Sequence, residues 1–291
     1  GKSCLSGYFE ALFRLNGLSD GHYAEPYCGG AGVALSLLLL EVVRTIHIND
    51  ADPAISSFWR AVVDHGDDLC DRIDGTALSV EEWDRQKKIV NNRNRRRYSD
   101  LTLGFATFYL NRLNRSGILN GGIIGGRDQT GPWKLDARFN REELISRIKK
   151  IYSYRDRIKV YQMDAPKFLS TVEPKLSHRG LIYLDPPYYR KGPSLYLNYY
   201  KPQDHKAVAA RVARLNVPWV VSYDNVPEVT ALYADYRQLV YALSYSALAR
   251  SEGSELMVFS EHLRIPDLRS PVSVGKRSRT KDSAGTGRAA A

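Results

Sequence analysis

The sequence has few cysteines and no long apolar run. Its cysteines are too few and too scattered for a disulfide framework or a zinc site; they are Cys4, Cys28 and Cys70. The six histidines show no ligand spacing, so we expect no bound metal. The most apolar stretch, residues 33–43, is interrupted by a serine and a glutamate, whereas a membrane helix needs about 20 apolar residues. Because no charged-then-apolar leader opens the chain, we expect a cytoplasmic protein without a membrane segment.

Acidic residues are also fewer than basic residues. Lysine and arginine together number 42 against 32 acidic residues, which gives a formal net charge of +10. Cationic side chains replace the counterions that condense along phosphates, so this basic, tyrosine-rich composition favours a nucleic-acid partner. Apolar residues make up 43% of the 291 residues, enough to bury a core without disulfides or a metal. We expect one large domain, or a core with an insertion.

The first part of the chain predicts an α/β unit. An amphipathic helix over residues 8–15 precedes a short strand at residues 22–25. A glycine-rich turn follows, and after it come an apolar helix over residues 33–43 and a second strand at residues 45–48. That strand leads directly to Asp50. A strand, a glycine turn, a helix and a strand with a terminal acid are the opening of a doubly wound fold.

Residues 58–150 depart from this pattern and predict a mainly helical insertion. The segments with helical periodicity are residues 64–74, 80–97, 101–112 and 141–151. Residues 117–131 contain six glycines, which predicts a flexible loop or a hairpin.

The α/β pattern resumes after the insertion. Further strands are predicted at residues 158–161, 181–184, 219–222 and 255–259, and a further helix at residues 201–215. We therefore predict a doubly wound α/β core made of residues 1–57 and 151–265. Residues 266–291 are rich in Ser, Gly, Lys and Arg, which predicts a disordered basic tail.

The most specific local pattern is Asp185-Pro186-Pro187-Tyr188, which follows an apolar strand. Two prolines impose a rigid extended turn without competing backbone donors. Ligands of open α/β sheets bind at the carboxyl ends of strands, where this turn lies. The turn presents one carboxylate and one backbone carbonyl as closely spaced acceptors, with an aromatic ring beside them. This arrangement suits a planar group that carries an NH₂.

The glycine turn that contains Gly29 and Gly30 would let a ligand approach the backbone closely. Its spacing is not the Gly-x-Gly-x-x-Gly dinucleotide fingerprint. Asp50 ends the next strand about 20 residues further on, where an acid hydrogen-bonds ribose hydroxyls. Glu25 is either an exposed carboxylate at a strand end or an acid that faces a cationic ligand.

Together, Glu25-Pro26-Tyr27-Cys28-Gly29-Gly30 and the later Asp185-Pro186-Pro187-Tyr188 resemble the Dam-like family of DNA adenine-N6 methyltransferases. Residues 108–117 also resemble that family's motif inside its insertion, and the order of motifs matches over residues 1–265. The resemblance implies a Rossmann-like methyltransferase core with a target-recognition insertion. It also implies S-adenosylmethionine as cofactor and double-stranded DNA as partner, with no obligate protein partner.

The resemblance assigns residues to the cofactor and to the target base. The expected cofactor-binding residues are Lys2, Glu25, Pro26, Tyr27, Gly29, Gly30, Asp50 and Asp164. Only Gly1-Lys2 remains of the family's first motif, and Asp164 is alternatively an ordinary helix N-cap. The expected catalytic residues are Asp185, Pro186, Pro187 and Tyr188. Acceptors on Asp185 and Pro186 would orient the adenine amine toward the transferred methyl group, and Tyr188 would stack on the flipped base.

Basic and polar residues of the insertion are expected to contact DNA. They are Arg93, Arg95, Arg96, Arg97, Arg112, Asn114, Arg115 and Arg127. For residues 93–97 the alternative is a solvated face of a helix. For the whole protein the alternatives are a cytosine-N4 methyltransferase, an enzyme acting on RNA, or an inactive DNA-binding relative of the fold.

Overall fold

The computed structural model describes residues 2–176, 179–189, 200–244 and 252–267. The predicted disordered tail begins at residue 266, so nearly all of it lies outside the described residues. Among the described residues, no helix is long and apolar enough to cross a membrane.

A mostly parallel sheet forms the centre of the molecule. Its seven strands within the described residues are β1 (Gly21–Glu25), β2 (Val43–Asn49), β3 (Ile158–Tyr161), β4 (Gly180–Leu184), β5 (Trp219–Asp224), β6 (Arg237–Ser244) and β7 (Glu252–Phe259). Their order across the sheet is β3-β2-β1-β4-β5-β7-β6. Strand β7 runs antiparallel to both of its neighbours, and the other pairs are parallel.

Helices cover both faces of this sheet. They are α1 (Ser6–Leu15), α2 (Gly32–Leu39), α3 (Pro53–Asp64), α4 (Gly66–Gly75), α5 (Val80–Val90), α6 (Asp100–Leu113), α7 (Arg141–Tyr152), α8 (Ala165–Val172), α9 (Pro202–Val212) and α10 (Pro227–Leu232). Successive side chains of β4 alternate between two hydrophobic clusters, with Leu181 and Tyr183 in one and Ile182 and Leu184 in the other. The predicted doubly wound α/β fold is confirmed.

The helices of residues 53–152 share the larger hydrophobic cluster with the sheet. Helix α3 packs against α6 so closely that a Cβ atom on Gly104 would lie 2.6 Å from the Ser57 carbonyl oxygen. Leu69 and Trp83 of this helical part belong to the same cluster as Tyr23 of β1. The helical part therefore shares one of the two hydrophobic clusters with the sheet.

Three predicted helices are shorter than expected, and one of them, predicted over residues 201–215, spans only Pro202–Val212. The helix predicted over residues 33–43 ends at Leu39, because Glu41 adopts a left-handed conformation with a φ of 56° and the chain then enters β2. The helix predicted over residues 80–97 ends at Val90. There the Asn92 side chain accepts a hydrogen bond from the Asn94 backbone N–H at 2.8 Å, a local turn that competes with the helix.

Candidate active site

The four acidic residues expected in the site lie at the edge of the sheet where the parallel strands end. Glu25 is the last residue of β1, while Asp50 and Asp185 directly follow β2 and β4. Asp164 lies just after β3, at the start of α8. Neighbouring parallel strands present their carboxyl ends on the same side. The structure thus brings together residues that are distant in the sequence.

The side chain of Asp50 fixes the glycine turn after β1 through a hydrogen bond. One carboxylate oxygen of Asp50 accepts a hydrogen bond from the Gly29 backbone N–H at 3.1 Å, and the other accepts from Asp52 N–H at 2.9 Å. Gly29 has a φ of 44°, in the left-handed region that favours glycine. A Cβ atom on Gly29 or Gly30 would meet no described atom within 4 Å, so a ligand has room to approach this backbone.

Burial raises the pKa values of both Asp50 and Glu25. Burial raises the pKa of Asp50 to about 6, although the two backbone hydrogen bonds oppose this change. Burial raises the pKa of Glu25 to about 8, against the opposing effect of hydrogen bonds from the Tyr23 hydroxyl and the Ala34 backbone. Glu25 is thus buried rather than exposed, and a bound cation would favour its ionised form.

Asn49 is a residue of this site that sequence reasoning missed. It is buried at the end of β2, and its amide donates to the carbonyl oxygens of Pro26 and Met163 at 2.8 and 2.9 Å. Its own side-chain oxygen accepts from the Met163 N–H at 3.0 Å. Asn49 therefore ties the turn after β1 to the segment that carries Asp164. A polar residue inside an apolar strand was the available signal.

Tyr27 and Asp164 directly follow Pro26 and Met163, the two residues that the Asn49 amide connects. Asp164 is exposed and occupies the N-cap position of α8, but its side chain makes no capping hydrogen bond. The Tyr27 hydroxyl lies 3.1 Å from the Tyr200 hydroxyl. The carboxylate of Asp164 is therefore not engaged in the capping role that was its alternative.

Asp185 is held by one of its two oxygens. Its Oδ1 accepts a hydrogen bond from the Ser222 hydroxyl at 2.8 Å and lies 3.5 Å from Lys2 Nζ. Its Oδ2 accepts no hydrogen bond from the described residues, and the side chain keeps 25% of its surface exposed. Burial raises the pKa of Asp185, opposed by the Lys2 ammonium and the Ser222 hydrogen bond.

Glu255 on β7 is a second residue that sequence reasoning missed. It is 2% exposed and forms an ion pair with Lys2. Its Oε1 accepts from the Tyr188 hydroxyl at 2.8 Å, and its Oε2 accepts from the Tyr241 hydroxyl at 3.0 Å. Burial lowers the pKa of Lys2, but Asp185 and Glu255 outweigh this effect and raise it.

The basic run after α5 is a turn that includes a short 3₁₀ helix over Arg95–Arg97. Arg93 and Arg97 are exposed, and the Arg97 guanidinium stacks 4.8 Å from the centre of a tyrosine ring. Arg95 is partly buried and pairs with Asp52 at 2.8 Å. The side chain of Arg96 is outside the described part of the structure. Arg93 and Arg97 are thus exposed as both interpretations require, and the choice between a DNA contact and a solvated face stays a prediction.

The arginines around the glycine-rich loop differ in their exposure and in their hydrogen-bond partners. Arg115 is exposed. Arg127 is also exposed but makes two hydrogen bonds to the Asp84 carboxylate, at 2.9 and 2.8 Å. Arg112 is partly buried and donates to the Asn111 side chain at 2.8 Å.

Asn114, expected at the DNA surface, lies in the interior instead. Its side-chain oxygen accepts from the Trp83 indole N–H at 2.7 Å, and its amide donates to the carbonyl oxygens of Ile118 and Leu119. It has no exposed surface, so in this structure it holds the start of the loop. Sequence reasoning missed Trp133, which is 72% exposed near the end of the same loop.

No group of three or more metal-ligating side chains occurs within the described ranges. The site combines backbone N–H groups, carboxylates and a glycine turn with open space beside it. This combination fits a nucleoside-containing cofactor.

Comparisons with known proteins give the family. The sequence matches the model of the D12 class N6 adenine-specific DNA methyltransferases over residues 1–246. No curated protein matches it. Among solved structures, an rRNA methyltransferase, aviRa from Streptomyces viridochromogenes, is 12% identical, with a TM-score of 0.37 over 90% of this chain and 80% of that chain.

A second solved structure is a precorrin 8w decarboxylase from Methanobacterium thermoautotrophicum. It is 10% identical, with a TM-score of 0.33 over 84% of this chain and 82% of that chain. Both likenesses are too weak to support a functional argument. The family match, by contrast, covers most of the chain, confirms the resemblance seen in the motifs and favours adenine over cytosine. This chain belongs to the D12 class N6 adenine-specific DNA methyltransferase family, whose members use S-adenosylmethionine.

Proposed function

We propose that the site at the strand ends methylates N6 of an adenine flipped out of double-stranded DNA, with Asp185 as the group that orients the amine. One observation carries this proposal. Ser222 and Lys2 hold Oδ1 of Asp185, while Oδ2 accepts no hydrogen bond from the described residues. Oδ2 is therefore positioned to accept an N–H from a planar amine, with the Pro186 carbonyl as the second acceptor.

The cofactor would occupy the open space beside the glycine turn. Gly29 and Gly30 allow close approach, Asp50 would accept from the ribose hydroxyls, and Glu25 would face the cationic amino-acid part. Pro26 and Tyr27 shape the wall of this pocket, and Asp164 would lie near the adenine of the cofactor. When bound, the cofactor supplies an electrophilic methyl group.

Lys2 joins the two halves of the site. The residue after it is Ser3, whose Cβ atom would lie 3.1 Å from a Cβ atom on Gly32, at the end of the glycine turn. The Lys2 ammonium itself reaches Asp185. We therefore assign Lys2 to the border between cofactor and target base, where its charge favours the ionised form of Asp185.

The chain's residues then act on the amine in a defined way. The lone pair of the adenine amine is delocalised into the ring, which makes it a poor nucleophile. Hydrogen bonds from its N–H groups to Asp185 and Pro186 favour a tetrahedral nitrogen whose lone pair points at the methyl group. As the N–C bond forms, the bond from the methyl carbon to the sulfonium sulfur would break and leave a neutral thioether, the amine would lose a proton, and the Asp185 carboxylate would accept it. Pro187 stiffens the turn, and Tyr188 stacks on the base.

The helical part of residues 58–150 is the proposed target-recognition region, between core segments 1–57 and 151–265. Exposed Arg93, Arg97 and Arg115 are suited to phosphates. A base edge or phosphate that bound Arg127 would have to replace Asp84, and one that bound Arg95 would have to replace Asp52. Asn114 supports the loop in this proposal and makes no DNA contact.

Asp185→Ala tests the proposal directly. We expect methyl transfer to unmethylated genomic DNA to fall by about 10² or more, because an oriented transition-state contact is lost. Calorimetry should show nearly normal affinity for S-adenosylmethionine, since Asp185 is assigned to the target base. Single-molecule sequencing of the wild-type product would identify the methylated position. Turnover by the variant close to that of the wild type would remove Asp185 from the mechanism.

A further inference from the structure

Glu255 is a buried carboxylate that the proposed reaction does not use directly. It lies on β7, the strand that pairs with β5, opposite Asp224 in the register. A carboxylate with 2% exposure is costly unless charged or hydrogen-bonding partners compensate for lost water. Here the partners come from three separate places in the chain: Lys2, Tyr188 and Tyr241.

Two of these partners belong to the target-base side of the site. The Tyr188 hydroxyl donates to Oε1 of Glu255 at 2.8 Å, so the far end of the proposed stacking ring is attached to the sheet. The Lys2 ammonium lies 5.6 Å from the centre of that ring. The ring is therefore fixed at its hydroxyl and flanked by the ammonium.

The third contact concerns Asp185. Lys2 stands between two carboxylates and lies closer to Glu255 than to Asp185 Oδ1, from which it is 3.5 Å away. If Glu255 lost its charge, the ammonium would be drawn toward Asp185, because the attraction between unit charges increases as they approach. It would then compete with the amine for the catalytic carboxylate.

We propose that Glu255 is a positioning residue for the target adenine, which it serves by anchoring the Tyr188 ring and holding Lys2 back from Asp185. This inference rests on the proposed roles of Asp185 and Tyr188. Glu255 touches neither the base nor the cofactor in this proposal, and it acts only through these two neighbours.

Tyr241 provides a matched control. Its hydroxyl donates to Oε2 of the same carboxylate at 3.0 Å from the adjacent strand β6. Tyr241→Phe removes one hydrogen bond to Glu255 but leaves the contacts with Lys2 and Tyr188 in place. Tyr188→Phe removes only the anchoring hydroxyl and keeps the ring.

The experiment measures kcat with saturating S-adenosylmethionine and unmethylated genomic DNA. Glu255→Gln should lower kcat at least about tenfold, since small misplacements of reacting groups are costly, while calorimetry shows cofactor affinity within about twofold. Tyr188→Phe should lower kcat to a smaller extent, and Tyr241→Phe should stay within about twofold of wild type. The Tyr188→Phe and Glu255→Gln losses should be less than multiplicative in the double variant, because both remove the same anchor.

A fluorescent base gives a readout that a general loss of stability would not produce. DNA carrying 2-aminopurine at the mapped target position should show an altered emission with Glu255→Gln and with Tyr188→Phe, because stacking on the ring changes. Wild-type kcat and emission in both variants would overturn the inference, as would multiplicative losses. If Glu255→Gln does not fold, Tyr188→Phe still tests the anchor. An active Asp185→Ala would instead show that the proposed function itself is wrong.

Discussion

Glu25 illustrates how a single buried side chain can couple cofactor binding to pH. Its pKa is raised to about 8 by burial, so at pH 7 most molecules without ligand carry a protonated Glu25. S-adenosylmethionine is cationic at its amino and sulfonium groups, and a cation beside Glu25 favours the carboxylate. Binding at pH 7 should therefore release a proton, and affinity should decrease as the pH falls below about 8.

Glu25→Gln tests this coupling without a change in shape. The variant should bind the cofactor roughly tenfold or more weakly, because a hydrogen bond to a charged group contributes about 1.5–3 kcal/mol. Calorimetry at pH 7 in two buffers of different ionisation enthalpy would measure proton release, which should disappear in the variant. Wild-type binding without any proton release would refute the assignment of Glu25 to a cationic group.

At the scale of elements, strand ends were predictable and helix packing was not. The strands before Glu25, Asp50 and Asp185 follow from short apolar runs, so most of the proposed site could be identified from sequence. Helix α3 was missed because two serines interrupt its apolar face. Both are buried, one of them against the α6 backbone at Gly104, a contact made only in the folded chain.

The missed site residues have the same explanation. Glu255 and Asn49 look like polar interruptions of strands, and their partners lie far away in the sequence. Asn49 binds Met163 from the neighbouring strand end, and Glu255 binds Lys2 at the other end of the chain. Such roles depend on strand order, with β7 inserted between β5 and β6, which local patterns do not specify.

The turn after α5 gives a prediction at the same scale. Arg93→Gln with Arg97→Gln should weaken binding to specific and random DNA about equally. The slope of log affinity against log salt should shrink by roughly 0.9 for each lost phosphate contact. Arg95→Gln is the matched control, because its guanidinium already pairs with Asp52.

The control should leave the salt slope unchanged and lower the free energy of unfolding by up to about 1 kcal/mol, the usual range for a partly exposed ion pair. Filter binding at several salt concentrations, with denaturant unfolding in parallel, separates the two effects. An unchanged slope in the double variant would mean that this turn does not contact DNA.

At the scale of the whole molecule, the proposed insertion shares a hydrophobic cluster with the sheet. Phe9 and Tyr23 of the sheet region share a cluster with Trp83 and Tyr109 of the helical part. Because unfolding the helical part would expose the sheet residues of this shared cluster, we expect it not to unfold independently of the sheet. A ligand bound at the strand ends should then stabilise both.

Scanning calorimetry with and without S-adenosylmethionine tests this expectation. A cofactor concentration of 100 times its Kd should add about 2.7 kcal/mol to the free energy of unfolding. In a protein of 291 residues that raises Tm by roughly 4 °C, in one transition. Hydrogen exchange should slow in α5 and α6 as well as in β4 and β5, although the ligand touches only the strand ends. Asp50→Ala, which removes the proposed ribose contact, should show a smaller shift at the same cofactor concentration. Two transitions, of which the cofactor moves only one, would instead establish the helical part as a separate cooperative unit.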